Sequence, residues 1–415
     1  MDELVSFDGK ASHDWARTHM PAFILAEKYV KSRAPKVARP LEGLKLAVCL
    51  HISKETSVLI NSLRDLGFEI TLAAANPLSS QDEISAFLLS QGVAVLGHKG
   101  ETTDEYENNI SRAARVSPDL IIDDGGELHF AYASSGGQTC FGGTDETTTG
   151  TTRLSALDLA GKLRYPVIPV NEASTKHIFD NKYGTGQSSV DGLIRATGLL
   201  VAGKTVVVAG YGWVGQGVAM RLRGMGAKIM VTEVNPVKAL EAHLDGFTVL
   251  PMKEAVVVAD IVLTCTGQLN VLSAPFFGLL KDGAIIGNLG HFDVEIDVKE
   301  LFALGRRIEQ LRPNVTKIEL AGHPKKSVLL LCQGRVINLA AADGHPPEIM
   351  QLSFANQLLS IHYLVVHRKE LKRNKRKLLS FPAEIDSLVA DLALKGFNLK
   401  IDRLSSEQSR YAHSA

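Results

Sequence analysis

The sequence lacks the features of a secreted, membrane or nucleic-acid-binding protein. It has only four cysteines, and none forms a CxxC pair, so we expect free thiols and no disulfide framework. They are Cys49, Cys140, Cys265 and Cys332. The formal net charge is zero, which gives no global reason to expect nucleic acid or a membrane as partner. No apolar run approaches the roughly 18–20 residues of a spanning helix, and no secretory pattern begins the chain. We therefore expect a cytoplasmic protein.

Strand and helix patterns alternate along most of the chain. Buried strands are indicated at Leu44–Leu50 and Phe68–Ala74, with an amphipathic helix at Glu55–Leu66 between them. Further strands are expected at Ile261–Cys265 and Ala284–Gly287. Repeated alternation of this kind places helices on both faces of a parallel sheet. With 415 residues, the chain predicts an α/β protein with two doubly wound parallel-sheet domains.

The most specific motif is a dinucleotide-binding pattern at 206–233. A β-branched strand runs into Gly210-Tyr211-Gly212-Trp213-Val214-Gly215, and a helix and a second strand ending at Glu233 follow. Gly210 allows the tight turn, Gly212 the approach of a pyrophosphate, and Gly215 close packing of helix on strand. Phosphates can bind the free N–H groups at the helix start. Glu233 is placed to accept from a ribose hydroxyl, which favours NAD over NADP. The second domain is thus predicted to be a Rossmann domain that binds NAD.

Two segments near the C-terminal end are less specific. Glu348–Val366 is a long, mostly apolar helix that we expect to pack against the first domain. His367–Lys377 is the only charge run, and we interpret it as a solvated linker or an oligomer contact. A nucleic-acid patch is the alternative, but the run lacks interleaved aromatic residues.

Several strings outside the glycine motif resemble those of the S-adenosylhomocysteine hydrolase family. They include Asp123-Asp124-Gly125-Gly126, Glu146-Thr147-Thr148-Thr149-Gly150, Asp180-Asn181-Lys182-Tyr183-Gly184, Gly290–Ile296 and Gly344-His345-Pro346. They occur in family order, and the resemblance extends from His51 to His345. The sequence resembles the short form of the family, which lacks the C-terminal tail of the long members.

The resemblance implies an enzyme that uses NAD without net oxidation. In the family, bound NAD⁺ oxidises the 3′-hydroxyl of the adenosine moiety, homocysteine leaves from C5′, water adds, and NADH returns the hydride. A conventional NAD-dependent dehydrogenase is one rival, but it needs a single base. A non-catalytic regulatory homologue is another, but such proteins often lose catalytic residues. The same mechanism on S-inosylhomocysteine is a further alternative.

The resemblance also implies roles for catalytic residues. Lys176 matches the lysine that handles the O3′ proton, which burial or nearby charge could enable by lowering its pKa. Asp124 matches the base at C4′, and His51 matches the acid/base for the 5′ leaving group and water. His291 matches a second histidine near the reacting carbons. Asn181 matches a cofactor-side asparagine and is counted among the catalytic residues.

The remaining matches concern binding. Glu146 and Asp180 match the clamp on the ribose hydroxyls, and Glu55 and His345 match residues at the adenine. Ser53 and Thr56 are neighbours in the same substrate string. The predicted cofactor-binding residues are Thr147, Thr148, Thr149, Asn181, Gly210, Gly212, Trp213, Val214, Gly215, Glu233, Lys238, Asn288 and Asn338. No metal site is predicted.

Some positions depart from the family pattern. Trp213 and Gln216 replace the Asp and Lys of the long forms' GYGDVGKG string, although the glycines remain. Thr185 stands where many members have a cysteine, and Lys238 stands where the long forms have an asparagine. The pattern resembles a shorter archaeal and thermophilic-bacterial branch that includes enzymes preferring S-inosylhomocysteine. Because Glu55 can accept from an exocyclic amine, we expect preference for adenine.

These observations define the expected organisation. We expect a substrate-binding domain at 1–180, rejoined by about 346–370, an NAD-binding domain at 187–340 and a C-terminal segment at 371–415. The crossings at Asn181–Gln187 and Ala341–His345 are expected to act as a hinge. Partners are the small molecules S-adenosylhomocysteine, adenosine and homocysteine, with no nucleic acid or membrane. We expect a homo-oligomer, a tetramer as in the family, with 348–366 and 383–394 as candidate subunit contacts.

Overall fold

Two sheets organise the chain in the computed structural model, which describes residues 3–33, 41–322 and 326–413. The first sheet contains β1 Lys45–Leu50, β2 Glu69–Ala74, β3 Ala94–Leu96, β4 Leu120–Asp123, β5 Gly142–Asp145 and β6 Val167–Pro169. Its order is β3-β2-β1-β4-β5-β6, and every neighbouring pair is parallel. Strand order therefore reverses beside β1 and β4, where a crevice opens at the carboxyl edge of such a sheet.

Helices cover both faces of this first sheet. They are α1 Glu3–Thr18, α2 Pro21–Arg33, α3 Lys54–Asp65, α4 Asp82–Ser90, α5 Thr103–Ala114, α6 Glu127–Ser134, α7 Thr148–Leu159 and α8 Ser174–His177. Side-chain caps fix two helix starts that border the crevice. Ser53 accepts from the amide of Thr56 at the start of α3, and Thr147 accepts from that of Gly150 at the start of α7.

The second sheet extends a parallel core with an antiparallel edge. Its strands are β7 Thr205–Ala209, β8 Lys228–Thr232, β9 Thr248–Val249, β10 Ile261–Thr264, β11 Ala284–Asn288, β12 Gly305–Arg312, β13 Val315–Leu320 and β14 Ser327–Leu331. The order is β12-β13-β14-β11-β10-β7-β8-β9, with β12, β13 and β14 paired antiparallel. The fold class predicted from the sequence is confirmed, but the antiparallel edge was not foreseen. Its outer strand β12 is mostly exposed and charged, so it carries no buried-strand pattern.

The remaining helices belong to the second sheet or to the C-terminal part of the chain. They are α9 Thr185–Thr197, α10 Trp213–Gly224, α11 Pro236–Leu244, α12 Met252–Val258, α13 Ala274–Phe277, α14 Val298–Ala303, α15 Ile337–Ala340, α16 Pro347–Val366, α17 Arg368–Leu371, α18 Ala383–Gly396 and α19 Ser406–His413. Short 3₁₀ turns lie at Val170–Glu172 and Cys332–Gly334.

The chain first crosses between the sheets through a helical segment and not an open loop. A π-helical turn, Ile178–Gly184, joins α8 directly to α9. A Cβ on Gly217 of α10 would overlap the carbonyl oxygen of Lys182, so the absence of a side chain lets α10 pack against the π turn. π turns inside helices are frequent at functional sites.

Helix α16 packs back onto the first domain as predicted. Phe354 and Leu358 lie in the same core as Leu46 of β1. By length and composition α16 could cross a membrane, but 67% of its most apolar window is buried inside the chain, as in a core helix.

The C-terminal segment also joins this core. Leu378 bridges to Val167 of β6, and Val389 of α18 is fully buried. The expectation that the apolar positions of 348–366 and 383–394 form subunit contacts is therefore wrong for most of them, since their own chain buries them. The charge run at 367–377 is mostly exposed, as predicted for a solvated linker.

Candidate active site

A cavity of about 1260 Å³ opens where the carboxyl ends of the two sheets face each other. Its walls include residues that follow β1, β4 and β5 on one side and β7, β8 and β11 on the other. Every predicted site residue lines this cavity except Gly215 and Asn288. The fold thus brings together in one cleft site residues that are spread along the sequence from His51 to His345.

Asp124 lies between two histidines. His51 Nε2 is 3.4 Å from Asp124 Oδ2, and His291 Nδ1 is 3.7 Å from Asp124 Oδ1. Burial lowers the pKa of His51 to about 4, although Asp124 opposes the shift, so its imidazole is neutral at pH 7. Ser79 Oγ lies 2.8 Å from the other ring nitrogen, Nδ1, and orients the ring. A carboxylate between two imidazoles can accept and pass on a proton.

The same three residues are close enough to be metal ligands. One ligand atom from each of His51, Asp124 and His291 lies within 4.8 Å of the others. The expectation that the site needs no metal therefore stays a prediction.

Lys176 is surrounded by acceptors. Its Nζ lies 3.4 Å from Asp180 Oδ1 and 3.9 Å from Glu146 Oε1. It also donates to Asn171 Oδ1 at 3.2 Å and Asn181 Oδ1 at 3.1 Å. With only 3% of the residue exposed, these contacts replace hydration of the ammonium.

The charges in this cluster correct one expectation. Burial alone would lower the pKa of Lys176, but Asp180, Glu146 and Asp124 outweigh it and raise the pKa above the usual lysine value. The condition stated from the sequence for a lysine base, a lowered pKa, is therefore not met in the ligand-free protein. Burial raises the pKa of Glu146 to about 7, against the opposing effect of Lys176. Burial also acts to raise the pKa of Asp180, but Lys176 and His345 hold it well below its usual value.

His345 joins the two crossing segments. Its Nδ1 lies 3.4 Å from Asp180 Oδ1, and its Nε2 lies 3.1 Å from Thr185 Oγ1 and 3.2 Å from Asn338 Nδ2. Ser353 of α16 donates to the other oxygen of Asp180 at 2.9 Å. Both ring nitrogens of His345 thus have partners at the meeting point of the crossings.

The start of α3 presents a buried carboxylate to the cavity. Glu55 is 1% exposed, and its Oε1 has no hydrogen-bond partner among the described residues. Thr56 donates its hydroxyl to the carbonyl of His51 at 2.6 Å, which fixes the turn between β1 and α3. Glu55 therefore brings to the cavity wall a buried carboxylate that can accept from a ligand donor.

The glycine turn after β7 has the geometry that its sequence predicts. Gly210 has φ of 102°, which favours glycine. A Cβ on Gly215 would overlap the carbonyl oxygen of Gly210, so Gly215 serves close packing and does not line the cavity. Helix α10 begins at Trp213, and its N-cap residue Gly212 supplies no side-chain cap, which leaves the first amides of the helix open to an anion. This turn therefore fits a pyrophosphate.

Glu233 closes the turn by accepting backbone hydrogen bonds. It accepts from the amides of Tyr211 at 2.7 Å, Val234 at 2.8 Å and Asn235 at 2.9 Å. Burial alone would raise its pKa, but these bonds lower it, so Glu233 is ionised at pH 7. A carboxylate has about four acceptor positions. One therefore remains for a ribose hydroxyl.

Asn288 was predicted to contact the cofactor but lies outside the cavity lining and is fully buried. It accepts from the amide of Gly290 at 2.8 Å and donates to the carbonyl of Phe292 at 2.8 Å. Those bonds shape the turn that carries His291. Because a buried amide must satisfy its own donors and acceptor, Asn288 positions His291 and does not face the cleft.

Two family models match separate parts of the chain. The model described as "S-adenosyl-L-homocysteine hydrolase" matches residues 6–137, and that described as "S-adenosyl-L-homocysteine hydrolase, NAD binding domain" matches residues 181–344. An adenosylhomocysteinase from Sulfurisphaera tokodaii is 46% identical over 411 residues, covering 99% of this chain and 97% of the relative.

The chain belongs to the S-adenosyl-L-homocysteine hydrolase family. Its second domain is the family's NAD-binding domain. An adenosylhomocysteinase from Aquifex aeolicus is 44% identical, covering 100% of this chain and 97% of the relative. An S-inosyl-L-homocysteine hydrolase from Methanocaldococcus jannaschii is 43% identical, covering 97% of this chain and 95% of the relative.

Sequence reasoning missed two polar residues that complete this hydrolase-family site. Asn171 lines the cavity and contacts Lys176, and it follows the buried strand β6 at the same sheet edge as the predicted residues. Gln357 donates to Glu146 from inside α16 and accepts from Thr144 at 2.5 Å. Its signal is the set of polar residues at helical spacing within an apolar helix, which includes Ser353 and Ser360.

A second polar layer lies behind the site residues of β4 and β5. Asp123 accepts from the amide of Asp124 at 2.9 Å, and Asp145 accepts from that of Thr147 at 2.9 Å. Both carboxyl groups are fully buried, and burial raises the pKa of Asp123 to about 7. The two buried aspartates thus anchor the backbone of the predicted site residues Asp124 and Thr147.

Proposed function

We propose that this protein reversibly hydrolyses S-adenosyl-L-homocysteine to adenosine and L-homocysteine. The observation that carries the proposal is the pair of proton-transfer clusters facing one cleft: Asp124 with its two histidines, and Lys176 with Glu146 and Asp180. A dehydrogenase needs one base at one carbon. A reaction that moves protons at O3′, C4′ and the 5′ substituent needs several.

The glycine turn is suited to NAD. Its uncapped helix start can bind the phosphates, and Glu233 retains an acceptor for the ribose. When bound there, NAD would supply reversible removal of a hydride from the substrate ribose. Thr147, Thr148 and Thr149, with Asn181, Lys238 and Asn338, would hold the rest of the cofactor.

The chain's own residues would then move the protons. Lys176 takes the O3′ proton, and Glu146, whose pKa is about 7, can exchange a proton with it near neutral pH. Since Lys176 is an ammonium in the ligand-free protein, it must first give up a proton to act as a base. Asp180 stays ionised and accepts from a ribose hydroxyl.

The other cluster would handle the carbon and the leaving group. Asp124 accepts the C4′ proton, and His51, which is neutral in the ligand-free protein, can relay that proton to the departing homocysteine. His51 then takes a proton from the incoming water and returns it to Asp124. His291, positioned by Asn288, supports the same carboxylate. These assignments predict separable defects in the variants.

Product analysis tests the proposal. NAD-loaded protein given S-adenosylhomocysteine should release adenosine and homocysteine in equal amounts. A conventional dehydrogenase would release neither and would accumulate NADH, and a non-catalytic homologue would change nothing. Either result would contradict the proposal.

S-inosylhomocysteine is the second candidate substrate. It is suggested by the Methanocaldococcus jannaschii relative, whose name specifies that activity. Glu55 favours the adenosyl compound because an ionised carboxylate accepts from N6 but cannot donate to O6. The ratio of kcat/KM for the two thioethers shows which substrate is preferred. We expect at least about 10-fold preference for the adenosyl substrate.

The wider organisation is part of the proposal. We retain domain boundaries near 1–180 and 187–340, a hinge at Asn181–Gln187 and Ala341–His345, and a cytoplasmic homotetramer. Light scattering at micromolar concentration tests the assembly, and a monomer would contradict it.

A further inference from the structure

Lys54 precedes Glu55 at the start of α3 and has no assigned role. Its Nζ lies 3.3 Å from Glu55 Oε1 and 3.8 Å from Asp343 Oδ2. The Lys54 side chain is 16% exposed and that of Glu55 2%. Glu55 and Asp343 line the cavity and Lys54 does not.

The Lys54–Glu55 contact is a close ion pair, since Nζ lies 3.3 Å from Oε1. This pairing balances the charge of Glu55, whose side chain still lines the cavity. An ionised carboxylate at this position can accept a hydrogen bond from a ligand amine.

The charge state of Glu55 depends on this neighbour. Burial raises the pKa of Glu55, and the Lys54 ammonium is the strongest opposing influence. The other opposing groups are the backbone amide of Glu55 and the hydroxyl of Ser53, neither of which carries a charge. Without Lys54, the same buried carboxyl would favour its neutral form.

We propose that Lys54 is a positioning residue that sets purine specificity by holding Glu55 as an acceptor-only carboxylate. This inference rests on the proposed function. A carboxylate accepts from the C6 amine of adenine and repels the C6 oxygen of hypoxanthine. A neutral carboxyl has one acceptor and one O–H donor, so it can bond to either purine. Losing the ammonium therefore removes discrimination.

The test compares Lys54→Met with Lys54→Arg, which keeps the charge. For each NAD-loaded protein, kcat/KM is measured with the adenosyl and inosyl thioethers at pH 7. In Lys54→Met the preference for the adenosyl substrate should fall about 10-fold, the size of one lost charged hydrogen bond. Activity on the inosyl substrate should rise in absolute terms, which general structural damage would not cause. Lys54→Arg should retain most of the preference.

Two results would overturn the inference. The first is an unchanged ratio in Lys54→Met, whether activity on the two substrates stays the same or falls equally. The second is a larger adenosyl preference, which would mean that Lys54 itself donates to the purine oxygen. The double variant Lys54→Met/Glu55→Gln should be no less selective than Lys54→Met, because both changes act on one group; additive losses would also count against the inference.

Failure of the proposed function gives a different pattern. If the wild-type protein turns over neither thioether, the hydrolase proposal fails, and the Lys54 inference is tested by calorimetric binding of adenosine and inosine. The affinity ratio of the two nucleosides should then shift towards inosine in Lys54→Met. An unchanged ratio would overturn the inference.

Discussion

Asp124 and His51 follow neighbouring strands β4 and β1, and their side chains meet with His51 Nε2 3.4 Å from Asp124 Oδ2. The two residues are remote in sequence, but the 3-2-1-4-5-6 strand order makes β1 and β4 neighbours at the point where the crevice opens. The contact couples a carboxylate to an imidazole held neutral by burial. It is the basis for the first prediction.

Asp124→Asn should block elimination while leaving the first oxidation intact. An amide cannot take the C4′ proton, so release of homocysteine should slow by roughly 10²–10⁴. Reduced cofactor should still appear on mixing with adenosine, as followed by absorbance. Asp104→Asn, an exposed position in α5, is the control and should behave as wild type.

Lys176→Ala should block the reaction one step earlier, at the first oxidation. No lysine amine would remain to take the O3′ proton, so the appearance of reduced cofactor on mixing with adenosine should slow by roughly 10²–10⁴. Lys162→Ala, an exposed lysine, serves as the control. If the Lys176 and Asp124 variants stopped at the same step, the separate roles of the two clusters would have to be abandoned.

Much of this site could be predicted because parallel strands place their following residues at one edge. His51 and Asp124 follow buried strands that the sequence pattern identifies, and the spacing of Gly210, Gly212 and Gly215 fixes the turn. The direction in which the pKa of Lys176 shifts could not be predicted, because burial is opposed by Asp180 nearby in the chain and by Glu146 and Asp124 from other strands. Burial and neighbouring charge oppose each other there, and only the distances decide.

The features that the sequence did not predict correctly all depend on contacts or positions set by the tertiary fold. Gln357 looks like an interruption in an apolar helix until the fold brings it to Glu146. Asn288 was predicted to bind the cofactor, but its orientation depends on the backbone of the next turn. β12 lies at a sheet edge, where exposure removes the hydrophobic pattern on which strand prediction depends.

Glu146→Gln should change how stability depends on pH. The pKa of Glu146 is raised from 4.5 to about 7 in the folded protein, so its contribution to stability is present at pH 4 and is lost as pH rises to about 7. The substituted amide cannot ionise. The free energy of unfolding of the variant should therefore rise relative to that of the wild type across this pH range, by about 1–3 kcal/mol above pH 7. Urea unfolding of cofactor-free protein at pH 5 and pH 8 measures the difference.

The matched control for this pH effect is Glu107→Gln, an exposed glutamate in α5. It should follow the wild-type pH profile. If Glu146→Gln also did so, Glu146 would be ionised in the folded state and the proposed proton exchange with Lys176 would lose its support.

Glu233→Ala should weaken NAD binding. The variant loses the acceptor for the ribose and for the three amides that shape the glycine turn, so the Kd should rise at least about 10-fold. Titration of cofactor-free protein with NAD measures it, with Glu254→Ala, an exposed residue of α12, as control. Equal affinity of the wild type for NAD and NADP would contradict this role.

The most direct test of the whole account is a turnover count. Protein loaded with NAD and freed of excess cofactor is given S-adenosylhomocysteine, and adenosine, homocysteine and the oxidation state of the bound cofactor are measured. We predict many equivalents of both products for each bound NAD, with the cofactor oxidised again once the reaction has run to completion and the products have been removed. Product limited to one equivalent, with a matching amount of NADH, would contradict the account.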